Sequence, residues 1–374
     1  MRELNSKTAP KTVRPERIIQ FGEGNFLRAF VDWIISNMNE RSDFNGSVVV
    51  VQPIEKGMVD VLNRQDGLYH VNLQGLENGQ VVNTYRLIDV ISRALNPYSH
   101  FDEYMKLAEQ PEIRFVVSNT TEAGIAFDPA CRLDDRPAAS YPGKLTQLLY
   151  HRFRHFYGDK SKGLIIFPCE LIFQNGHHLK RIIRQYIDLW QLGGDFTAWF
   201  EGACGVYATL VDRIVPGFPR KHIEEIQEKL QYKDQLVVQG EAFHLWVIEA
   251  PESVAQEFPA AECGLNVRFV PDEEPYHRRK VTLLNGPHTL LSPVAYLSGV
   301  DIVREACQDP DVGRYIRKVM FDELIETIDL PREELRTFAD SVMERFTNPF
   351  VDHQVTSIMP VSYTHLRAHE TVLD

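Results

Sequence analysis

What this 374-residue chain lacks narrows its chemistry first. It has no Cys-x-x-Cys pair, and its five cysteines, Cys131, Cys169, Cys204, Cys263 and Cys307, are widely scattered and odd in number. Neither a zinc cluster nor a dithiol redox centre is expected, and reduced, packed thiols are. Positive charge is also short: 40 basic residues face 52 acidic ones, for a net charge of -12. An acidic surface argues against nucleic acid or an anionic membrane as partner. Long apolar runs are missing. Met1 to Lys11 has no apolar signal-peptide core, and no stretch approaches the roughly 20 apolar residues of a membrane span. Internal repeats and low-complexity tracts are absent as well. A cytoplasmic protein is the expectation, and the length suggests two domains.

What is present is an ordered series of strands and helices. Arg17-Ile-Ile-Gln-Phe21 reads as a short buried strand that runs directly into Gly22-Glu-Gly24-Asn25-Phe26-Leu27-Arg28 and an amphipathic helix to about Met38. Ser47-Val-Val-Val-Val-Gln52 is a continuous β-branched run, as a parallel strand covered on both faces requires. Gly67–Asn72 and Gln80–Ile88 read as further strands of an inserted hairpin. Ile113–Ser118 and Gly163–Pro168 are two more buried strands, with helix over Lys144–Phe153 between them. Gln235–Gln239 and Phe243–Ile248 read as an extension of the same domain. Alternating units of this length predict an α/β fold, a Rossmann-like doubly wound parallel sheet, followed by a mostly α-helical C-terminal domain. The expected division is a polar leader over 1–16, the Rossmann-like nucleotide-binding domain over 17–270, a helical substrate and catalytic domain over 271–359, and a tail over 360–374.

Two loops follow buried strands where a dinucleotide would lie. Gly22 and Gly24 permit a tight turn and close backbone approach to a pyrophosphate, although Leu27 stands where a third glycine or alanine is usual. Asn25, Phe26 and Arg28 complete that loop, Arg28 as an added charge. Gln52 stands at the end of the second strand, where an acidic residue usually grips the adenosine ribose; its amide can bond the same hydroxyls, and NAD(H) is the favoured cofactor. Asn119-Thr120-Thr121-Glu122 sits where the fourth-strand loop would pass the nicotinamide ribose.

The run Lys280-Val-Thr-Leu-Leu-Asn285-Gly-Pro-His288 sets an amine, a carboxamide and an imidazole within nine positions. A lysine whose pKa is lowered by burial or neighbouring cations exchanges a proton near neutrality. Asn285 and His288 can hold the reacting oxygen. In a regular helix His288 lies roughly 80° and Asn285 roughly 140° around from Lys280. Pro287 removes a helical hydrogen bond to Leu283 and predicts a kink. The alternative reading is a structural helix with a snorkelling lysine, a capping asparagine and a satisfied histidine.

Five motifs in order, Gly22-x-Gly24-Asn25-Phe26-x-Arg28, Asn119-Thr-Thr-Glu-Ala-Gly124, Pro168-Cys-Glu170-Leu-Ile, Val211-Asp-Arg213-Ile-Val-Pro216 and Lys280-x-x-Leu-Leu-Asn285-Gly-x-His288, resemble the mannitol dehydrogenase family of polyol-specific long-chain dehydrogenases. The chain looks most like the branch of that family that interconverts a keto-hexuronate and an aldonate. The resemblance implies NAD-dependent hydride transfer, no catalytic metal, Lys280 as general acid/base, and Asn285 and His288 as its partners on the substrate oxygen. Where mannitol enzymes carry Asp-Asn and Asn-Ser, this chain has Glu170-Leu171 and Ala208-Thr209, which points away from mannitol as substrate. A small hexuronate is thus the expected partner, with fructuronate and mannitol activities as the alternatives. The motif-by-motif resemblance stops at Met359. The expectation from residues 360–374 is a non-family tail on a shortened second domain, and a chain that binds cofactor better than it turns over substrate.

Overall fold

A computed structural model describes residues 1–77 and 79–359. The tail expected at 360–374 lies outside the described residues. The described residues form two compact units: one of Met1–Asn72, Thr84–Gly240 and His244–Glu273, the other of Leu73–Asn83, Glu241–Phe243 and 274–359.

The first unit is built on a six-stranded parallel sheet. Its strands are β1 (Glu16–Phe21), β2 (Ser47–Val51), β3 (Ile91–Leu95), β4 (Phe115–Ser118), β5 (Ile165–Pro168) and β6 (Gly205–Val206), in the spatial order β3-β2-β1-β4-β5-β6. This is the doubly wound dinucleotide order, with the reversal of direction between β1 and β4. All five residues of β2 are buried, because helices cover both faces of the sheet. Ile19, Phe21, Val49, Val116 and Ile166 share one core with Leu145, Leu148, Ile183 and Tyr186 of two covering helices. Each such side chain contributes about 1.5–3 kcal/mol by leaving water. The helix Tyr141–His155 begins where Ser140 caps Gly143 N–H and Pro142 fits the first turn, and it ends in Arg152, Arg154 and His155, complementing the helix dipole.

One local expectation is corrected, and two are given their pairing. The helix expected from Asn25 to Met38 breaks at Phe30, into α1 (Asn25–Ala29) and α2 (Val31–Arg41). Phe30 gives up regular helical geometry to pack on Phe26 and Trp246, with ring centroids at 5.0 and 5.6 Å. The inserted hairpin, Tyr69–Glu77 and Gln80–Ile88, joins Val238–Glu241 in a separate three-stranded sheet. Leu245–Glu249 extends the first unit as expected, in a further sheet where it pairs antiparallel with Thr209–Asp212 and parallel with Val267–Val270. Apolar runs report burial, not which strand lies alongside.

The second unit is mainly helical. A long helix opens as Glu274–Lys280, widens into a π turn at Val281–Asn285 and resumes as Gly286–Leu297. Val303–Gln308, Pro310–Lys318 and Arg332–Phe346 follow and share a core with it through Leu283, Leu291, Ile316, Met320, Phe338 and Val342.

Candidate active site

Within the first unit, the two loops predicted from sequence meet. Gly22 has φ +120°, and a Cβ there would lie 2.8 Å from the Asn119 carbonyl oxygen. Only glycine satisfies both conditions. Asn119 N–H donates to Phe21 O at 3.0 Å, which ties the β4 loop to the end of β1. Gly24 is exposed and has open space where a Cβ would stand, so the backbone there is approachable from outside. The loops therefore form a bare-backbone surface at the carboxyl ends of β1 and β4, the position where doubly wound folds bind dinucleotides.

Several predicted side chains turn inward. Arg28 is buried, and its guanidinium donates to Glu23 O, to Leu236 O and, at 2.7 Å, to Asn25 Oδ1. It braces the glycine loop from beneath and does not offer a free charge to a phosphate. Burial lowers its pKa, with Tyr69 and Asp32 opposing. Gln52 is also buried, its amide donating to Ile54 O and Glu55 O at 2.8 and 2.9 Å. It shapes the turn after β2. Phe26 stacks on Phe30. Glu23 is 8% exposed and accepts from Met58 N–H in the turn after β2, and burial pushes its carboxyl up.

Glu170 is a residue whose role the sequence did not reveal. Buried at the end of β5, it accepts from Ser118 Oγ at 3.1 Å, Thr120 N at 2.9 Å and Thr120 Oγ1 at 3.0 Å. Desolvation raises its pKa, and these hydrogen bonds pull the other way. Beside this anchor Thr121 holds φ +72°, a left-handed conformation that is costly for a β-branched residue. Thr120 is half-buried, and Thr121 and Glu122 are exposed on the loop. The signal available in sequence was only that Glu170 departs from the Asp-Asn of mannitol enzymes.

In the second unit the π turn changes the geometry of the Lys280 run. Gly286 N–H bonds to Val281 O, five residues back. A five-residue step brings Asn285 about one turn beyond Lys280 on the same face, and His288 follows one α-helical turn later. The 140° offset expected of a regular helix is thereby narrowed. Pro287 supplies the reason: it has no N–H for Leu283 O and its ring needs room against the preceding turn, which the wider π turn gives. Lys280 and His288 are half-buried and Asn285 is exposed. The His288 ring lies 4.2 Å from that of Phe346 and 5.2 Å, edge-on, from that of His353, whose pKa burial lowers. Arg279 points away into the helical core, ion-paired with Glu334 and stacked over Phe338.

Among the described residues no group of three or more His, Cys, Asp or Glu could hold a metal ion. No described helix is long and apolar enough to cross a membrane. All five cysteines are buried and free.

Comparison with known proteins gives consistent matches. Residues 16–261 match the mannitol dehydrogenase Rossmann domain, and residues 272–372 match the mannitol dehydrogenase C-terminal domain. The second match thus runs past Met359. The chain is 78% identical over 363 residues to an altronate oxidoreductase of Phocaeicola vulgatus, covering 97% of this chain and 76% of that protein. An altronate oxidoreductase of Escherichia coli is 48% identical over 368 residues, covering 98% and 76%. Among solved structures, a D-sorbitol dehydrogenase superposes with a TM-score of 0.79 at 21% identity, over 96% of this chain and 77% of that one. A Pseudomonas fluorescens mannitol 2-dehydrogenase, solved with NAD and D-mannitol, gives 0.72 at 21% identity, over 95% and 76%. Matched by both family models over nearly its whole length, the chain belongs to the mannitol dehydrogenase family of oxidoreductases.

Proposed function

We propose that this protein is an NAD-dependent altronate oxidoreductase that interconverts D-tagaturonate and D-altronate, with Lys280 as general acid/base. The observation that supports the mechanism is the π turn, which brings Asn285 and His288 closer to the Lys280 side of the helix than a regular helix would. The substrate class rests on the relatives named altronate oxidoreductase, at 78% and 48% identity.

The first unit suits a dinucleotide. Gly22, Gly24 and Asn25 give the backbone surface for the pyrophosphate, Gln52 shapes the turn beside the adenosine ribose, and Asn119 to Glu122 form the loop near the nicotinamide ribose. Phe26 and Arg28 act by fixing the loop. Glu23, joined to the turn after β2 through Met58 N–H, puts an acidic group beside that turn. An acid next to the adenosine ribose would disfavour a 2′-phosphate, which supports the choice of NAD. The bound nicotinamide supplies or accepts the hydride.

The protein's own part in the reaction is at the substrate oxygen. In the reducing direction Lys280 gives its ammonium proton to the oxygen of the former ketone; in the oxidising direction the neutral amine takes that proton back. Asn285 and His288 donate hydrogen bonds to the same oxygen as negative charge develops there, a contribution of about 3–4 kcal/mol per well-placed donor. Steady-state oxidation of NADH, and separately NADPH, with tagaturonate, fructuronate and fructose tests the reading. Turnover is expected with NADH and tagaturonate, and Lys280→Ala should abolish it while leaving NADH binding intact. Retained turnover in that variant removes Lys280 from the mechanism.

A further inference from the structure

Beneath the glycine loop lies a buried group that the proposed chemistry does not use. Asp32, in the first turn of α2, is fully buried, as is Tyr69. Tyr69 Oη lies 2.8 Å from Asp32 Oδ2 and 3.0 Å from the Arg28 carbonyl oxygen. A phenol carries one proton, and a backbone carbonyl can only accept. With Tyr69 as donor its one proton is shared between two acceptors; each contact gets a full hydrogen bond when Tyr69 donates to Arg28 O and a protonated Asp32 donates to Tyr69. The other carboxyl oxygen, Asp32 Oδ1, and Gln20 Oε1 are both buried polar atoms with no hydrogen bond at the assigned orientations, and Gln20 is the further side chain that acts on this carboxyl. The guanidinium of Arg28 directs its hydrogen bonds to Glu23 O, Leu236 O and Asn25 Oδ1, not to this carboxyl.

We propose that Asp32 is a positioning residue that works as a neutral carboxylic acid, clamping α1 through Tyr69 and so making nucleotide binding at the glycine loop proton-dependent. The relay runs from Asp32 O–H to Tyr69 Oη, from Tyr69 O–H to Arg28 C=O, and from the Arg28 side chain to Glu23 and Asn25 of the loop. This rests on the reading of that loop as the dinucleotide site. When Asp32 ionises, one proton leaves the relay, Tyr69 must choose between two acceptors, and Arg28 C=O or the new carboxylate loses its donor. Burial holds the Asp32 carboxyl at about 7, opposed by Tyr69, Arg28 and Gln20. The groups facing this cluster are Gln20 on β1, Arg28 and Glu23 at α1, and Tyr69; Asp234, paired with His70, acts on Arg28 and Tyr69 from farther out.

The test is NADH binding followed by nucleotide fluorescence from about pH 6 to 9, with the carboxylic-acid C=O stretch read by infrared spectroscopy. The full chain is compared with Asp32→Asn and Tyr69→Phe. Affinity of the unaltered protein should fall above about pH 7, by up to about tenfold per unit. Asp32→Asn keeps an uncharged donor toward Tyr69, so it should bind as the low-pH form does and lose the slope. Tyr69→Phe breaks the relay and should bind several-fold more weakly at pH 6. Lys144, lowered by burial to about 8, titrates nearby but is untouched in both variants. Equal slopes in the unaltered protein and Asp32→Asn, or no infrared band lost on that substitution at pH 6, would overturn the neutral acid. The band present without NADH binding at any pH would instead overturn the reading of the loop, and the proposed link with it.

Discussion

At the scale of single residues, the first unit uses two buried carboxyls in opposite ways. Glu170 is surrounded by donors and fixes the loop from Asn119 to Glu122 through three hydrogen bonds. Glu170→Ala leaves those donors unsatisfied and should cost about 2–4 kcal/mol by chemical denaturation, with weaker NADH binding. Glu170→Gln keeps an acceptor and should recover most of both. Asp32 faces Tyr69, whose one proton is also sought by Arg28 O. Its folded pKa, about 7, lies above the ordinary 3.8, so the folded state holds a proton that the unfolded chain releases. Its contribution is intact below about pH 4 and is lost as pH rises to about 7. The stability of Asp32→Asn relative to the unaltered protein should therefore grow by about 1.4 kcal/mol per unit across that window and level off above it. A constant difference would mean Asp32 is ionised in the fold.

At the scale of elements, two distortions carry the site. The turn after β1 holds Gly22 at φ +120° against Asn119 O. Gly22→Ala should destabilise the protein by about 1–3 kcal/mol and separate the two loops, so NADH affinity should fall more than stability implies. The π turn ahead of Pro287 narrows the angle between Lys280 and Asn285 around the helix. Pro287→Ala restores the missing N–H and lets an α-turn compete. The expected result is a lower kcat with little change in melting temperature, since regular helix replaces the bulge at small cost. Unchanged kcat would show that the bulge is not needed for alignment. That the regular helix is interrupted here was legible from Pro287, because proline's missing donor is a local property. The π geometry was not: that a widened turn absorbs the proline depends on how the helix packs through Leu283 and Leu284.

For the whole molecule, sequence order and spatial grouping differ. Glu241–Phe243 lie far from residue 274 in the chain yet belong to the second unit. There Arg345 pairs with Glu241 through two hydrogen bonds of 2.8 and 3.0 Å and stacks on Phe243, with both charged side chains nearly inaccessible. Glu241→Ala leaves a buried guanidinium unpaired and should destabilise the second unit by about 3–5 kcal/mol in chemical denaturation. NADH should stabilise the unaltered protein by about 2.7 kcal/mol at a hundredfold excess over Kd, read as a rise in melting temperature.

The sequence by itself determined the alternation of buried strands and helices, the two loops after Phe21 and Ser118, the Lys280 run and the family motifs. Each of these is written in consecutive residues, as burial pattern, turn chemistry or spacing. Tertiary structure alone decided which predicted side chains turn inward, as Arg28 and Gln52 do, and which distant groups meet. Asp32 and Tyr69 are 37 positions apart, and Glu170 lies 50 beyond Thr120. No local pattern encodes such pairs, because a buried polar group is defined by the partners that the fold brings to it.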